Sequence, residues 1–410
     1  MSPSSPYAEL VAASREAAVV GSIGGLLGWD QETYMPPAAA AHRAEQLAWV
    51  ARVAHEKRTS PRVGELIAAC ERDASLVGDA SSPTAASVRE FRRAYDLATK
   101  LPPEFVAEMA RTGSQAQEVW KEARARNDFA MFAPWLEKMV GLARRKAELY
   151  GPPRGASGGE LYDALLDEYE PGATAREIEA IFTPLRSRLT ALIGRISSSG
   201  KRPSDEPLHL KIDPSKQHAF GQLVLEAMGF DLKAGRLDVT THPFCSGMAP
   251  GDTRLTTRYR DEKFTDALYG TMHEAGHGLY EQGLPKMGEF YGTPLADDIS
   301  LGIHESQSRM WENLVGRSLA FWEWALPHAQ RVMGSGLERY TPVDLFRAVN
   351  IVSPSHIRVE ADEATYNLHV MLRFELERAL VSGSLKGVAM GPHQPCGVEG
   401  GVQEGGGVSA

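Results

Sequence analysis

Hydrophobic residues in this chain of 410 residues recur at helical spacing nearly everywhere, and the two-residue alternation of a strand appears in one region only. That imbalance restricts the fold class to mainly α with a small sheet. The helical reading covers residues 8–55, broken at Met35-Pro36-Pro37. Leu26, Leu27 and Trp29 end the first helix, and Leu47, Val50 and Val53 form the apolar side of the second. Trp29-Asp30-Gln31 at the junction reads as a tryptophan anchor with a capping aspartate. Residues 72–87, rich in Ser, Asp, Gly and Ala, read as an exposed loop. Helices over 88–100, 102–127, 132–150 and 175–197 follow, with loops at 152–159 and 198–207 and an acidic helix end at 162–170. The strands are 236–244, with Leu237, Val239 and Thr241 on one side, and 255–259 after a Gly-Asp turn. Residues 264–282 are then helical, stopped by Gly283 and Pro285. A loop at 287–298 leads into a helix over 299–319.

Charge and cysteine usage narrow the function. A net charge of −9 with no lysine or arginine block argues against a nucleic-acid partner. Cys70, Cys245 and Cys396 are odd in number and far apart, which points to a reducing compartment and away from a thiolate metal site. The N-terminus has no basic region followed by an apolar core. The uncharged stretch at 17–29 is too short to span a bilayer and carries four glycines. The expectation is a soluble cytoplasmic protein with no membrane partner.

Within the helical stretch at 264–282 stand His273, Glu274 and His277. Two histidines four apart lie one turn apart on the same face of a helix, so their imidazoles can converge on one metal ion. Glu274 is displaced around the axis toward an open coordination position. This is the His-Glu-x-x-His pattern of zinc hydrolases, two ligands plus the carboxylate that takes a proton from water at the metal. The plainer reading is an amphipathic helix with histidines at that spacing by accident. A peptide-cleaving zinc site needs a third protein ligand. A histidine six residues after His277 is absent, since Gly283 stands there. Glu305, on the following helix, is the best candidate, with Ile303, Met310 and Leu314 as that helix's apolar positions. A glutamate favoured there by the helix dipole is the competing reading. His304 is a competing ligand, but adjacent helix positions point about 100° apart and only one of the pair can face the metal. The small sheet just before this helix offers a strand edge that can hold an extended peptide.

These residues carry a resemblance. The chain resembles the thermostable carboxypeptidase (carboxypeptidase Taq) family of zinc metallocarboxypeptidases. Four stretches match its pattern in order: Asp252-Thr253-Arg254-Leu255-Thr256, the His273 to His277 motif, His304-Glu305-Ser306-Gln307, and Ile357-Arg358-Val359-Glu360-Ala361-Asp362. Trp29-Asp30-Gln31, His242-Pro243-Phe244 and Leu372-Arg373-Phe374-Glu375 stand where the family has similar text. The resemblance implies one large, almost wholly helical body with a deep central groove, a short sheet beside the zinc, and a homodimer. It implies His273, His277 and Glu305 as zinc ligands, with cobalt as a possible substitute, and Glu274 as general base. A carboxypeptidase also needs a cation for the substrate's free carboxylate, and arginine's planar fork suits it. Arg254 and Arg358 stand in family motifs and are the candidates, each weighed against an ion pair, Arg254 with Asp252 and Arg358 with Glu360 or Asp362. His242 is a further candidate for substrate binding, weighed against a buried structural histidine. Asp297 and Asp298 are candidates for orienting a ligand imidazole.

The resemblance runs from about residue 8 to 386, which sets a metallocarboxypeptidase-like domain at 1–386. Residues 387–410, with eight glycines, no aromatic residue and no periodicity, read as a disordered tail. The family's pattern continues further, with a Gly-x-x-Gln-Asp-x-His-Trp motif not found here. The expectation is therefore a carboxypeptidase acting on peptides. The rivals are a zinc endo- or oligopeptidase, and a catalytically silent shortened form that binds metal or a full-length partner.

Overall fold

Five helices start on a small polar residue followed by proline. Ser5, Ser60, Ser82, Asp213 and Thr341 each accept a backbone N–H from the first turn, and the proline sits where no N–H is needed. Thr174 and Glu177 form a reciprocal capping box at another. These starts punctuate a chain that the computed structural model describes over residues 5–151, 159–334, 336–358 and 361–385.

The helices are α1 (Pro6–Thr33), α2 (Ala40–Arg58), α3 (Pro61–Arg72), α4 (Ala74–Val77), α5 (Pro83–Ala98), α6 (Pro103–Arg126), α7 (Phe129–Tyr150), α8 (Asp163–Leu166), α9 (Ala175–Ser198) and α10 (Pro214–Met228). After the sheet come α11 (Phe264–Gly283), α12 (Leu301–Arg309), a π-helical turn at Met310–Val315, α13 (Leu319–Met333), α14 (Pro342–Val349) and α15 (Glu363–Ser382). The mainly α expectation holds. Two helix readings change. The region at 72–87, read as loop, contains α4 and the start of α5. The single helix expected at 299–319 is α12 followed by a turn of wider pitch. The loop expected at 152–159 and the tail at 387–410 lie outside the described residues, Gly159 excepted.

α1 runs past the junction assigned to it, so Asp30 lies inside the helix and pairs with Arg43 at 2.6 Å instead of capping. Its full length corrects the membrane argument too. α1 is long and apolar enough, by length and composition, to cross a membrane, with a window of mean hydropathy 1.4. Both its halves are nevertheless tied into the protein. Arg15 Nε donates to the Tyr291 carbonyl at 2.7 Å, and the buried Gln31 accepts from Ser114 Oγ at 2.8 Å. Val19, Ile23 and Leu26 stay exposed.

The sheet has three strands: β1 (Gly235–Val239), β2 (Cys245–Ala249) and β3 (Asp252–Thr257). Their order is β1-β3-β2, with β1 parallel and β2 antiparallel to β3. The sequence reading missed β2, because Cys-Ser-Gly-Met-Ala has no β-branched or aromatic residue. It also misjudged the faces of β1. Leu237 is buried, but Val239 is 56% exposed and Asp238 is buried instead. Asp238 reverses the alternation because Arg236 grips it with two hydrogen bonds and Tyr34 Oη donates to it.

α11 lies between two cores. Ala275 joins Leu225, Phe230, Leu237 and Leu255 on the sheet side, while Phe264, Leu268 and Met272 enter a larger cluster with Phe220, Trp322, Leu337 and Leu345. Gly276 takes a third neighbour. A Cβ there would lie 2.5 Å from Ser308 Cα and 2.6 Å from the Gln307 carbonyl oxygen of α12. α12 therefore meets α11 backbone to backbone. This overturns the apolar stripe proposed for it, since Ile303 is exposed and Leu314, in the π turn, is 71% exposed. Small side chains, not aliphatic ones, hold the pair together. Gly276→Ala is expected to force the two helices apart and lower stability by about 1–3 kcal/mol, which thermal unfolding of the metal-free protein measures.

Candidate functional site

The 3.6-residue repeat of α11 places His273 and His277 on the side left free by its two cores. Their ring centroids are 5.0 Å apart. The close approach at Gly276 brings Glu305 of α12 opposite them. Glu305 Oε2 stands 3.7 Å from His273 Nε2 and 3.2 Å from His277 Nε2. The three ligand atoms all lie within 4.8 Å of one another. Ligands at 2.0–2.2 Å from a tetrahedral zinc are separated by about 3.3 Å. The residues present therefore fit a small divalent ion.

Hydrogen bonds on the far side of each ring hold the imidazoles in place. His273 Nδ1 lies 2.8 Å from Glu312 Oε2, and a carboxylate there requires Nδ1 to carry the proton. Behind His277 the partner is His304, with 2.5 Å between the two Nδ1 atoms, and His304 Nε2 lies 2.8 Å from Glu281 Oε1. With His304 Nε2–H donating to Glu281, its Nδ1 accepts from His277 Nδ1–H. Both His273 and His277 then present an Nε2 lone pair to the shared space. His304 is thus a hydrogen-bond partner of His277, with both its own ring nitrogens engaged. Glu281 is in turn ion-paired to Lys286 and sits over Gly247 of β2, where any side chain would overlap it.

Burial and neighbours drive the titration of these groups apart. Glu274 is buried, and burial, reinforced by the Glu305 and Glu312 carboxylates, raises its pKa to about 7. Burial acts the same way on Glu312, but His273, Arg309 and Arg317 outweigh it and lower the pKa to about 2. Glu305 also ends below the usual carboxylate range, because His277, His273 and Ser308 together outweigh its burial. For His277 burial wins and its pKa falls. For His273 burial is outweighed by Glu312 and the other carboxylates, and its pKa rises.

The cluster opens into a cleft of about 690 Å³ whose walls include His242, Phe244, Arg358, Tyr366 and Arg317. Arg358 donates to Tyr366 Oη, and its Nε is buried without a partner among the described residues. Of the ion-pair partners weighed for it, Glu360 lies outside the described residues, and Asp362 caps α15. His242 is exposed on the cleft wall, against the buried structural reading, and its pKa is lowered by desolvation within the cleft and then by the positive charges of Arg358, Arg258 and Arg124. This end of the cleft is a patch of positive potential.

Arg254 is elsewhere. It does not line the cleft, its fork holds Asp252 through two bonds of 2.8 Å, and it stacks 4.3 Å over Trp29. The ion-pair reading of Arg254 is the one the geometry favours. Asp297 and Asp298 do not meet the imidazoles either, and Asp298 lines a separate cavity. Sequence reasoning missed Glu281, Glu312 and Tyr366. Glu281 had a signal, standing four residues after His277 on the same face. Glu312 and Tyr366 had none, because their positions depend on the path of the chain after α12.

Known proteins match this chain over most of its length. Residues 9–390 match the family described as Carboxypeptidase Taq (M32) metallopeptidase. Thermostable carboxypeptidase 1 of Thermus thermophilus is 48% identical over 94% of this chain and 76% of its own length. Thermostable carboxypeptidase 1 of Pyrococcus furiosus is 38% identical over 92% of this chain and 74% of its own length. Among solved structures, the M32 carboxypeptidase from Deinococcus radiodurans superposes with a TM-score of 0.82 at 39% identity, covering 94% of this chain and 75% of the other. Sequence and fold agree, and the chain belongs to the carboxypeptidase Taq family of metallopeptidases and is a metallocarboxypeptidase.

Proposed function

We propose that the chain uses zinc held by His273, His277 and Glu305, with Glu274 as general base, to release the C-terminal residue of peptides. What carries this reading is the convergence of the three ligand atoms beside a buried carboxylate whose pKa is about 7. Two imidazoles and one carboxylate are a donor set suited to zinc, with cobalt able to take its place. When bound, such an ion supplies an electrophile for the scissile carbonyl and lowers the pKa of water beside it. Glu274 does the proton work. Its burial keeps the carboxyl near neutrality in the metal-free protein, and a neighbouring cation biases it toward the ionised form that accepts a proton. The same carboxyl is placed to return the proton to the leaving amine.

Arg358, with an unused Nε donor in a positively charged wall, is the residue we assign to the free carboxylate of the substrate, with His242 beside it. A homodimer in the cytoplasm completes the proposal, with no nucleic acid or membrane partner. The acidic net charge and the unpaired Cys70 and Cys245 are in keeping with it.

Glu274→Gln is expected to bind metal like the parent while hydrolysis falls by about 10²–10⁴-fold, and His277→Ala is expected to lose the ion. Metal analysis and a peptide assay check both. An imidazole variant that retains the parent's metal content removes that residue as a ligand. Amidating the substrate's C-terminus is expected to abolish turnover, and undiminished cleavage of the amide would make the enzyme an endopeptidase. Arg358→Met is expected to raise KM for free peptides.

Glu274 also sets a pH dependence. Its folded pKa lies above its ordinary 4.5, so between about 4.5 and 7 the folded metal-free chain keeps a proton that the unfolded chain has released. Stability from this group therefore falls as pH rises through that window. At pH 8 the metal-free Glu274→Gln protein is expected to be more stable than the parent, by at most about 3 kcal/mol. Equal unfolding midpoints at pH 8 would contradict a raised pKa.

A further inference from the structure

Two carboxylates follow α11 on the next segment of chain, and they face opposite sides of the same imidazole. Glu305 looks at His273 Nε2, while Glu312 stands behind the ring at Nδ1. Glu312 belongs to the π-helical turn Met310–Val315, where the Gly316 N–H reaches back five residues to the Trp311 carbonyl at 2.9 Å. Single π turns are uncommon and collect at functional sites, because they reorient the side chains they carry. Gly316 lets this turn lie against α11, since a Cβ there would sit 3.0 Å from the Met272 side chain.

Glu312 is held by two arginines. Arg309 Nη1 donates to Oε2 at 2.9 Å, and Arg317 Nη2 lies 3.5 Å from Oε1. Each arginine is fixed in turn. Arg309 stacks 3.9 Å over Tyr366, and Arg317 stacks 4.3 Å over Tyr269 while donating to the Val349 carbonyl. A carboxylate wanted only to neutralise these arginines has no need to touch His273. Yet the Oε2 atom that accepts from Arg309 also lies 2.8 Å from His273 Nδ1, which must be protonated to face a carboxylate.

We propose that Glu312 is a positioning residue for the metal ligand His273, fixing its Nδ1–H tautomer and ring direction so that Nε2 is committed to the ion. The inference rests on the metal-centre reading given above. It makes the two imidazole ligands unequal. His273 is backed by an anion braced by two arginines, whereas His277 is backed by the His304 ring, which passes the interaction on to Glu281.

The test is the dissociation constant for Zn²⁺ and Co²⁺, measured by chelator competition on the full chain, with the Co²⁺ visible spectrum and the unfolding midpoint of the metal-free protein recorded alongside. Glu312→Ala is expected to weaken both metals by about 10–100-fold and to shift the Co²⁺ bands. Glu312→Gln, which keeps an acceptor for Nδ1–H without the charge, is expected to weaken them less and in the same direction. Should the alanine variant fail to fold, the glutamine variant decides alone. A lowered unfolding midpoint with both dissociation constants and the cobalt spectrum at parental values would show a purely structural ion pair and overturn the proposal. Glu305→Gln and His277→Ala serve as controls. If those keep parental affinity, the metal-centre reading itself fails, and if they lose metal while the Glu312 variants do not, only this inference falls.

Discussion

The site depends on two backbones being allowed to touch. α11 is already enclosed by the sheet and by the Trp322 cluster, so its histidines have only one direction in which to face. α12 reaches them because residue 276 has no side chain and residue 308 has a small, fully buried one. Helix pairs packed through ordinary side chains sit 8–10 Å apart. A glutamate from so distant a partner would have to extend fully to reach two imidazoles at once. The close crossing lets Glu305 do so while its helix stays half in solvent.

Four carboxylates then crowd one small volume, and their surroundings sort them. Glu281 is held below the usual carboxylate range by His304 and Lys286, Glu312 by His273 and two arginines, and Glu305 by the two imidazoles it faces, each against its own burial. Glu274 has only the more distant charge of His273 on its side against burial and two like charges. It is therefore the one left with a pKa near neutrality, as proton transfer at physiological pH requires. On the proposed reading, the partners on the far sides of the rings matter as much as the ligands, because an imidazole free to turn or to change tautomer would offer its lone pair to an ion only part of the time.

Much of this was legible before any coordinates. The His-Glu-x-x-His spacing on a helix, the extent of that helix and the mainly α class follow from local periodicity, and α11 spans Phe264–Gly283 where 264–282 was read. Glu305 was reached from chemical need, since a third ligand was lacking. What failed did so for non-local reasons. β2 has no strand-forming composition and exists because β3 offers it an edge. Val239 is exposed because Asp238 is claimed by Arg236 and Tyr34 from the other side. Arg254 is a different case: the sequence left it open between substrate contact and an ion pair with Asp252, and its fork is closed on Asp252, two residues away.

The sequence by itself determined which groups could do chemistry and on which helix face they lie, because the helical repeat is a local property of the chain. It also marked where most helices begin, since caps and prolines act over three or four residues. Only the tertiary structure decided which acid backs which imidazole, which arginine remains available to an anion, and which carboxylate stays near neutral. Those outcomes depend on distances between segments far apart along the chain, and on burial, which no short stretch of residues can set alone.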